Sequence, residues 1–149
     1  MRTLGNILWH IPFLGFVNAL LVLLLGLLLI LTVVAAPIGF GLVEFGKFLL
    51  WPFGNTMVSQ RELDDDLNPV WQAYSTLIMI LYFPIGLLLT IFAIIEAVGL
   101  ICSIIGIPVA LVIIKSLSTY LNPVNKICVP AEVAEELQYR KAREYINRR

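Results

Sequence analysis

Charged residues are confined to short stretches of this chain, and the apolar stretches between them are long. From Thr3 to Val43 there is no Asp, Glu, Lys or Arg, and the same holds from Leu67 to Ile95. A helix needs about 20 apolar residues to cross the hydrocarbon core of a bilayer, and both stretches exceed that. Backbone groups in hydrocarbon must satisfy one another, which predicts helices. A run such as Leu20 to Leu31 lacks the period-two alternation of a membrane barrel strand. The pattern predicts apolar segments over Ile7–Val34 and Ala73–Ile105. Each ends in a small-residue break, Ala35-Ala36-Pro37 or Gly106-Ile107-Pro108. A second helix follows, Ile38–Leu50 or Val109–Leu121, stopped at Trp51-Pro52-Phe53-Gly54 or Asn122-Pro123. Proline suits a first helical turn and prevents continuation after a last one. At 1.5 Å per residue these second helices are about 20 Å long, short of the roughly 30 Å core.

The two units repeat in register. Pro37 and Pro52 recur 71 residues later as Pro108 and Pro123, and Gly15, Thr32 and Val58 find Gly86, Ser103 and Val129. Duplicated apolar units are a common construction of membrane proteins. The predicted organisation is a first repeat over 1–58, a polar acidic linker over 59–71, a second repeat over 72–129 and a charged helix over 130–149. Pro37, Gly39, Pro52, Gly106, Pro108 and Pro123 mark the repeat breaks and packing positions.

Two topologies fit this pattern. In one, each repeat is a hairpin and the chain crosses four times, with the acidic linker on the inner side. In the other, each repeat crosses once and lays its short helix along the interface, with the linker outside. Trp9, Trp51, Trp71, Tyr74 and Tyr120 fall at the inner ends of the four-crossing arrangement, at the headgroup depth aromatic residues favour. The apolar stripe of Ile38, Leu42, Phe45 and Leu49 favours the interfacial one. Arg140, Lys141, Arg143, Arg148 and Arg149 place the C-terminus in the cytoplasm by the positive-inside tendency, and Arg2 places the N-terminus there too. The first apolar run is too long for the 7–15-residue apolar core of a cleaved secretory signal.

Composition agrees. The chain is 60% hydrophobic and 13% charged, against about 25% charge in soluble domains. Its net charge of zero offers no nucleic-acid surface. Enzymatic chemistry has little to work with: His10 is the sole histidine, and there is no CxxC, HExxH or glycine-rich phosphate loop. No cofactor or metal is expected, Asp64–Asp66 reading as a hydrated linker. Cys102 reads as apolar filler and Cys128 as an unpaired thiol.

Polar residues at membrane depth carry the functional expectations. Glu96 interrupts an otherwise uncharged stretch from Leu67 to Ile114; it sits either at a hydrated outer turn, or on a water-filled path or facing Lys115. Glu44 and Lys115 are equivalent by repeat and opposite in charge, so they either pair across a pseudo-two-fold axis or reach headgroups independently. Lys47 lies one turn from Glu44. Asn18 is a packing or pore-lining position. In the tail, Glu136–Arg140, Arg140–Glu144 and Glu144–Arg148 fall at i,i+4, as in a solvated helix that is also a candidate partner-binding element.

The opening MRTLGNILW, the segment PIGFGLVEFGKFLLWPFGN and the later CSIIGIPVALVIIK followed by LNPV resemble the YccF family of small bacterial inner-membrane proteins. The resemblance runs to about Val129 and implies two such domains in the cytoplasmic membrane; it assigns no activity to any residue. Asn122-Pro123-Val124-Asn125 departs from the first copy's Trp51-Pro52-Phe53-Gly54. The sequence therefore predicts an all-α multi-pass protein with four membrane segments and both termini inside. Its partners are expected to be the bilayer, further copies of itself and a cytoplasmic protein. Two functions remain open: an oligomeric pore or transport path, or a non-conducting accessory protein recruiting through its tail.

Overall fold

Proline and glycine set most element boundaries, and the helices fall where those residues allow. The computed structural model describes residues 2–11, 14–63 and 68–148. Along them run α1 (Arg2–His10), α2 (Gly15–Leu31), α3 (Ala36–Leu50), β1 (Asn55–Ser59) and a 3-10 turn at Gln60–Glu62. Then come α4 (Pro69–Ile101), a 3-10 turn at Ile104–Gly106, α5 (Ile107–Leu121), β2 (Lys126–Pro130) and α6 (Ala131–Asn147). Pro37, Pro69 and Pro108 occupy the first turns of α3, α4 and α5, where no backbone donor is lost. The bounds of α3 and α5, and those of β1 and β2, differ by 71 residues at both ends. Asp64–Asp66, expected to be a hydrated linker, lie outside the described residues.

Packing starts from two helix pairs, α2 on α3 and α4 on α5. In the first pair the backbones nearly touch: a Cβ on Gly39 would stand 2.6 Å from the Gly26 carbonyl oxygen, and one on Gly26 would stand 2.9 Å from that of Gly39. Small residues permit such approach between helices in lipid. The equivalents in the second pair are Ala97 and Ala110, both buried. Phe45, Phe48, Val109, Val112 and Ile113 then pack α3 and α5 together beneath Met57. Phe45 meets Tyr120 edge-on at 5.5 Å between ring centroids.

Three expectations need correction. The first apolar segment is not one helix: α1 and α2 are inclined by 78°. Trp9 Nε1 donates to the Leu49 carbonyl at 2.8 Å and His10 Nε2 bonds the Leu50 carbonyl at 2.9 Å, so α1 is drawn over the end of α3. The equivalent stretch of α4 runs on unbroken, with Pro84 inside it. Secondly, the protein is mostly but not wholly helical. β1 and β2 form an antiparallel pair with Met57 opposite Cys128, Asn55 opposite Pro130 and Ser59 opposite Lys126. β1 thus reaches into the expected linker.

Thirdly, the two pairs do not run parallel, as hairpins in the four-crossing arrangement would. The turn after α2 places Val33 at φ 60, and the Tyr74 hydroxyl of α4 reaches the carbonyls of Val33 at 3.0 Å and Val34 at 2.7 Å. That turn lies beside the start of α4, whereas the turn into α5 follows its end. Tyr74 and Cys102 are 28 residues apart, about 40 Å along a helix. The hairpin turns therefore lie at opposite ends of α4.

The outer faces of α2 and α4 are apolar and open, as at Leu28, Leu31, Leu81 and Phe92. Only 17% of the most apolar 18-residue stretch of α4 is buried within the chain. By length and apolarity, Pro69–Ile101 and Ile104–Leu121 suffice to cross a membrane, and α1 with α2 would make a third.

Candidate functional site: a polar platform over the helices

The polar groups of the chain collect around the β1–β2 pair, which sits over the middles of α3 and α5. Glu44, at the centre of α3, turns a mostly buried carboxylate toward β2. Its Oε2 accepts the Cys128 N–H at 3.1 Å, and its Oε1 pairs with Lys47. Lys115, at the centre of α5, donates to the Pro52 carbonyl at 3.2 Å and lies 5.9 Å from the centre of the Phe53 ring. Glu44 and Lys115 therefore do not pair. Each has a nearer partner on the connection leaving the other helix.

Those connections are fixed by side chains that hydrophobic periodicity passes over. Asn6 Oδ1 accepts the Phe53 N–H at 3.2 Å. Asn122 Oδ1 accepts the Val124 N–H at 3.0 Å, closing a local turn. Asn125 takes a left-handed φ of 55, and its Nδ2 donates to Ser75 Oγ at 2.9 Å. The nearest sequence signal was the Asn-Pro-Val-Asn run itself, since asparagine tolerates left-handed backbone. Gly41 belongs to the same junction, because a Cβ there would collide with the Pro123 carbonyl.

Above the strands α6 packs Ala134 against Val58 and Val129. Two ion pairs tie it down, Arg2–Glu132 at 2.6 Å and Lys141–Glu62 at 2.8 Å. Hydrogen bonding to Arg2 holds the Glu132 carboxyl below its ordinary value. Between α6 and the Gln60–Glu62 turn lies a cleft of about 450 Å³. Leu63, Val133 and Leu137 give it apolar walls, and Arg61, Glu136 and Arg140 ring it with charge. A second groove of about 440 Å³ runs along α3 between Lys47, Trp71 and Lys126. Burial lowers the pKa of Lys126. Burial and the nearby Glu44 carboxylate push the Cys128 thiol up to about 11.

The remaining expected residues are scattered. Glu96 is exposed on α4 among Ile91, Phe92 and Ile95, and Asn18 is exposed on α2. Neither meets Glu44, Lys47 or Lys115. His10 spends Nε2 on the Leu50 carbonyl, and its Nδ1 is buried without a partner among the described residues. Cys102 lies at the hairpin turn and Cys128 on β2, both as free thiols. Among the described residues no three of His, Cys, Asp and Glu gather as a metal ion would require.

Residues 4–55 match the YccF inner membrane component domain. The matched YccF domain takes in α1, α2, α3 and the start of β1. It does not extend to the second half, which the resemblance of the sequence had also embraced. No curated protein and no solved structure matches the chain. The YccF match and the apolar outer helices together support an inner-membrane protein.

Proposed function

We propose that the protein is a non-conducting accessory component of the inner membrane. Two opposed apolar hairpins, copies of one duplicated unit, anchor a polar platform that receives a cytoplasmic protein segment. The observation that carries this reading is the cleft beneath α6. Leu63, Val133 and Leu137 line it together with Arg61, Glu136 and Arg140, and the Lys141–Glu62 pair joins α6 to the turn beside it. Apolar anchors within a polar rim are the usual anatomy of a protein-binding patch. The matching partner is a short segment with one or two aliphatic side chains between charged residues. A photo-crosslinker at Leu137 in the full-length membrane protein tests this. The reading expects one defined protein adduct that Leu63→Arg abolishes. Adducts to lipid alone, or an adduct indifferent to Leu63→Arg, contradict it.

A second reading, an oligomeric conducting path, is favoured by Glu96. Ionisable residues at membrane depth normally face protein or water rather than lipid. A second copy against α4 would cover this carboxylate. That reading expects a defined oligomer in mild detergent and a reconstituted conductance altered by Glu96→Gln. An electrically silent monomer contradicts it.

A further inference from the structure

The polar layer lies over the waist of the molecule rather than beyond one end of it. Glu44 meets β2 from the centre of α3, and Lys115 meets the Pro52 carbonyl from the centre of α5. Asn125 and Arg61 fasten one edge of this layer to Ser75 and Thr76, next to Tyr74 toward the start of α4, so the layer runs from there to Lys115. The hairpin turns lie at the two extremities, about 40 Å apart along α4.

This arrangement decides how the protein meets a bilayer. If α4 stood across the membrane, the platform between Thr76 and Lys115 would reach into hydrocarbon, and with it the Arg2–Glu132 pair at the start of α6. The Arg140 and Glu136 side chains are 70% and 66% exposed, and α6 carries five further charged residues. Charges at that depth are costly and rare. If instead both hairpins crossed side by side, their turns would share one face, and they do not. A third orientation satisfies every surface. With α4 along the membrane plane, the open apolar faces of α2 and α4 enter the acyl chains, and β1, β2 and α6 face water.

The turns suit this placement. Leu31, Val33, Ile104 and Ile105 are 83, 71, 86 and 70% exposed, and no charged residue accompanies them. At the first turn the backbone is already satisfied. Thr32 Oγ1 donates to the Leu29 carbonyl and accepts the Ala35 N–H, and Tyr74 serves the two carbonyls that follow. Backbone in contact with lipid needs such internal partners.

We infer that the protein is seated in a single leaflet, with both hairpin turns and α6 accessible from one face only. The occupant of its apolar surface is the acyl layer of that leaflet. The inference goes beyond the docking role proposed above, which holds in any seating that leaves α6 in water. It disfavours the conducting path.

Native Cys102 reports on the second turn without further change beyond Cys128→Ser. Val34→Cys with Cys102→Ser and Cys128→Ser reports on the first turn, and Gln138→Cys in the same background reports on α6. Each is treated in intact cells and in inverted membrane vesicles with a membrane-impermeant maleimide, then with a lipid-soluble one. The expected result is that neither turn reacts from the face opposite Gln138→Cys; each reacts from the α6 face or only with the lipid-soluble reagent. Reaction of one turn from the opposite face overturns the inference in favour of a spanning rod. Reaction of both from that face overturns it in favour of crossing hairpins. Cys102 alone keeps the test decisive if Val34→Cys fails to fold.

Discussion

At residue 44 the first half of the chain carries a glutamate, and at the equivalent residue 115 the second half carries a lysine. The helices around them have the same length, yet the two side chains do different work. Glu44 accepts a strand N–H that a lysine has no lone pair to receive, while Lys115 donates to a carbonyl that a carboxylate would repel. The same contrast runs through the packing. Gly26 and Gly39 bring α2 and α3 into backbone contact, while buried Ala97 and Ala110 occupy the equivalent places on α4 and α5. The first half also bends between α1 and α2 where the second runs straight through Pro84. Equivalent places in the two halves preserve shape and diverge in chemistry. The divergence lies at the junctions, where the halves hold each other.

The largest expected effect comes from the closest approach. Gly39→Val should destabilise the protein by about 3 kcal/mol through overpacking against the Gly26 carbonyl. Ala110→Gly in the other half should cost only about 1 kcal/mol, from lost helix propensity. Melting temperatures in detergent compare them, and equal losses would mean that the two hairpins pack alike.

The junction residues come next. Glu44→Ala leaves the Cys128 N–H without its acceptor and should cost about 1–3 kcal/mol. Lys115→Met keeps the stem, loses one hydrogen bond, and should cost about 1 kcal/mol or less. A larger loss at Lys115 than at Glu44 would reverse the assignment of roles.

The smallest effect is chemical. The folded state keeps the Cys128 thiol protonated up to about 11, against an ordinary value of 9.0. At pH 8 its alkylation should be roughly a hundredfold slower than in the chain unfolded by dodecyl sulfate, since thiolate is the reacting form. The raised value also fixes a sign: the folded state holds this proton more tightly, so stability falls as pH rises from about 9 to about 11. Alkylation equally fast in both states would place Cys128 in water.

Much of the fold was legible because helices are local. The prolines at 37, 52, 108 and 123 bounded α3 and α5 to within two residues, and the charge order after Pro130 marked α6. The strands were not legible. Asn-Thr-Met-Val-Ser and Lys-Ile-Cys-Val-Pro are five residues each, and their pairing joins positions about 70 apart. Nothing within either segment records its partner. Whether the halves run parallel or inverted was left open by the sequence, because the opposed direction rests on a contact between Tyr74 and a turn 40 residues earlier. Repeat arithmetic left open whether Glu44 and Lys115 pair or act independently; each meets another partner, because equivalence under an offset does not give distance from the axis. Arg2, Asn6 and Asn125 escaped because single polar residues at segment ends leave no periodic trace.

The account depends on the two halves meeting about the Met57–Cys128 pair. Met57→Cys tests this with the native thiol as its partner, since directly opposed strand residues have disulfide-compatible spacing. Mild oxidation of the full-length variant in membranes should yield an intrachain disulfide, seen as a two-hydrogen mass loss, and Val58→Cys treated alike should not. A disulfide in Val58→Cys but not Met57→Cys, or only intermolecular dimers from Met57→Cys, would contradict the register and the symmetry built on it.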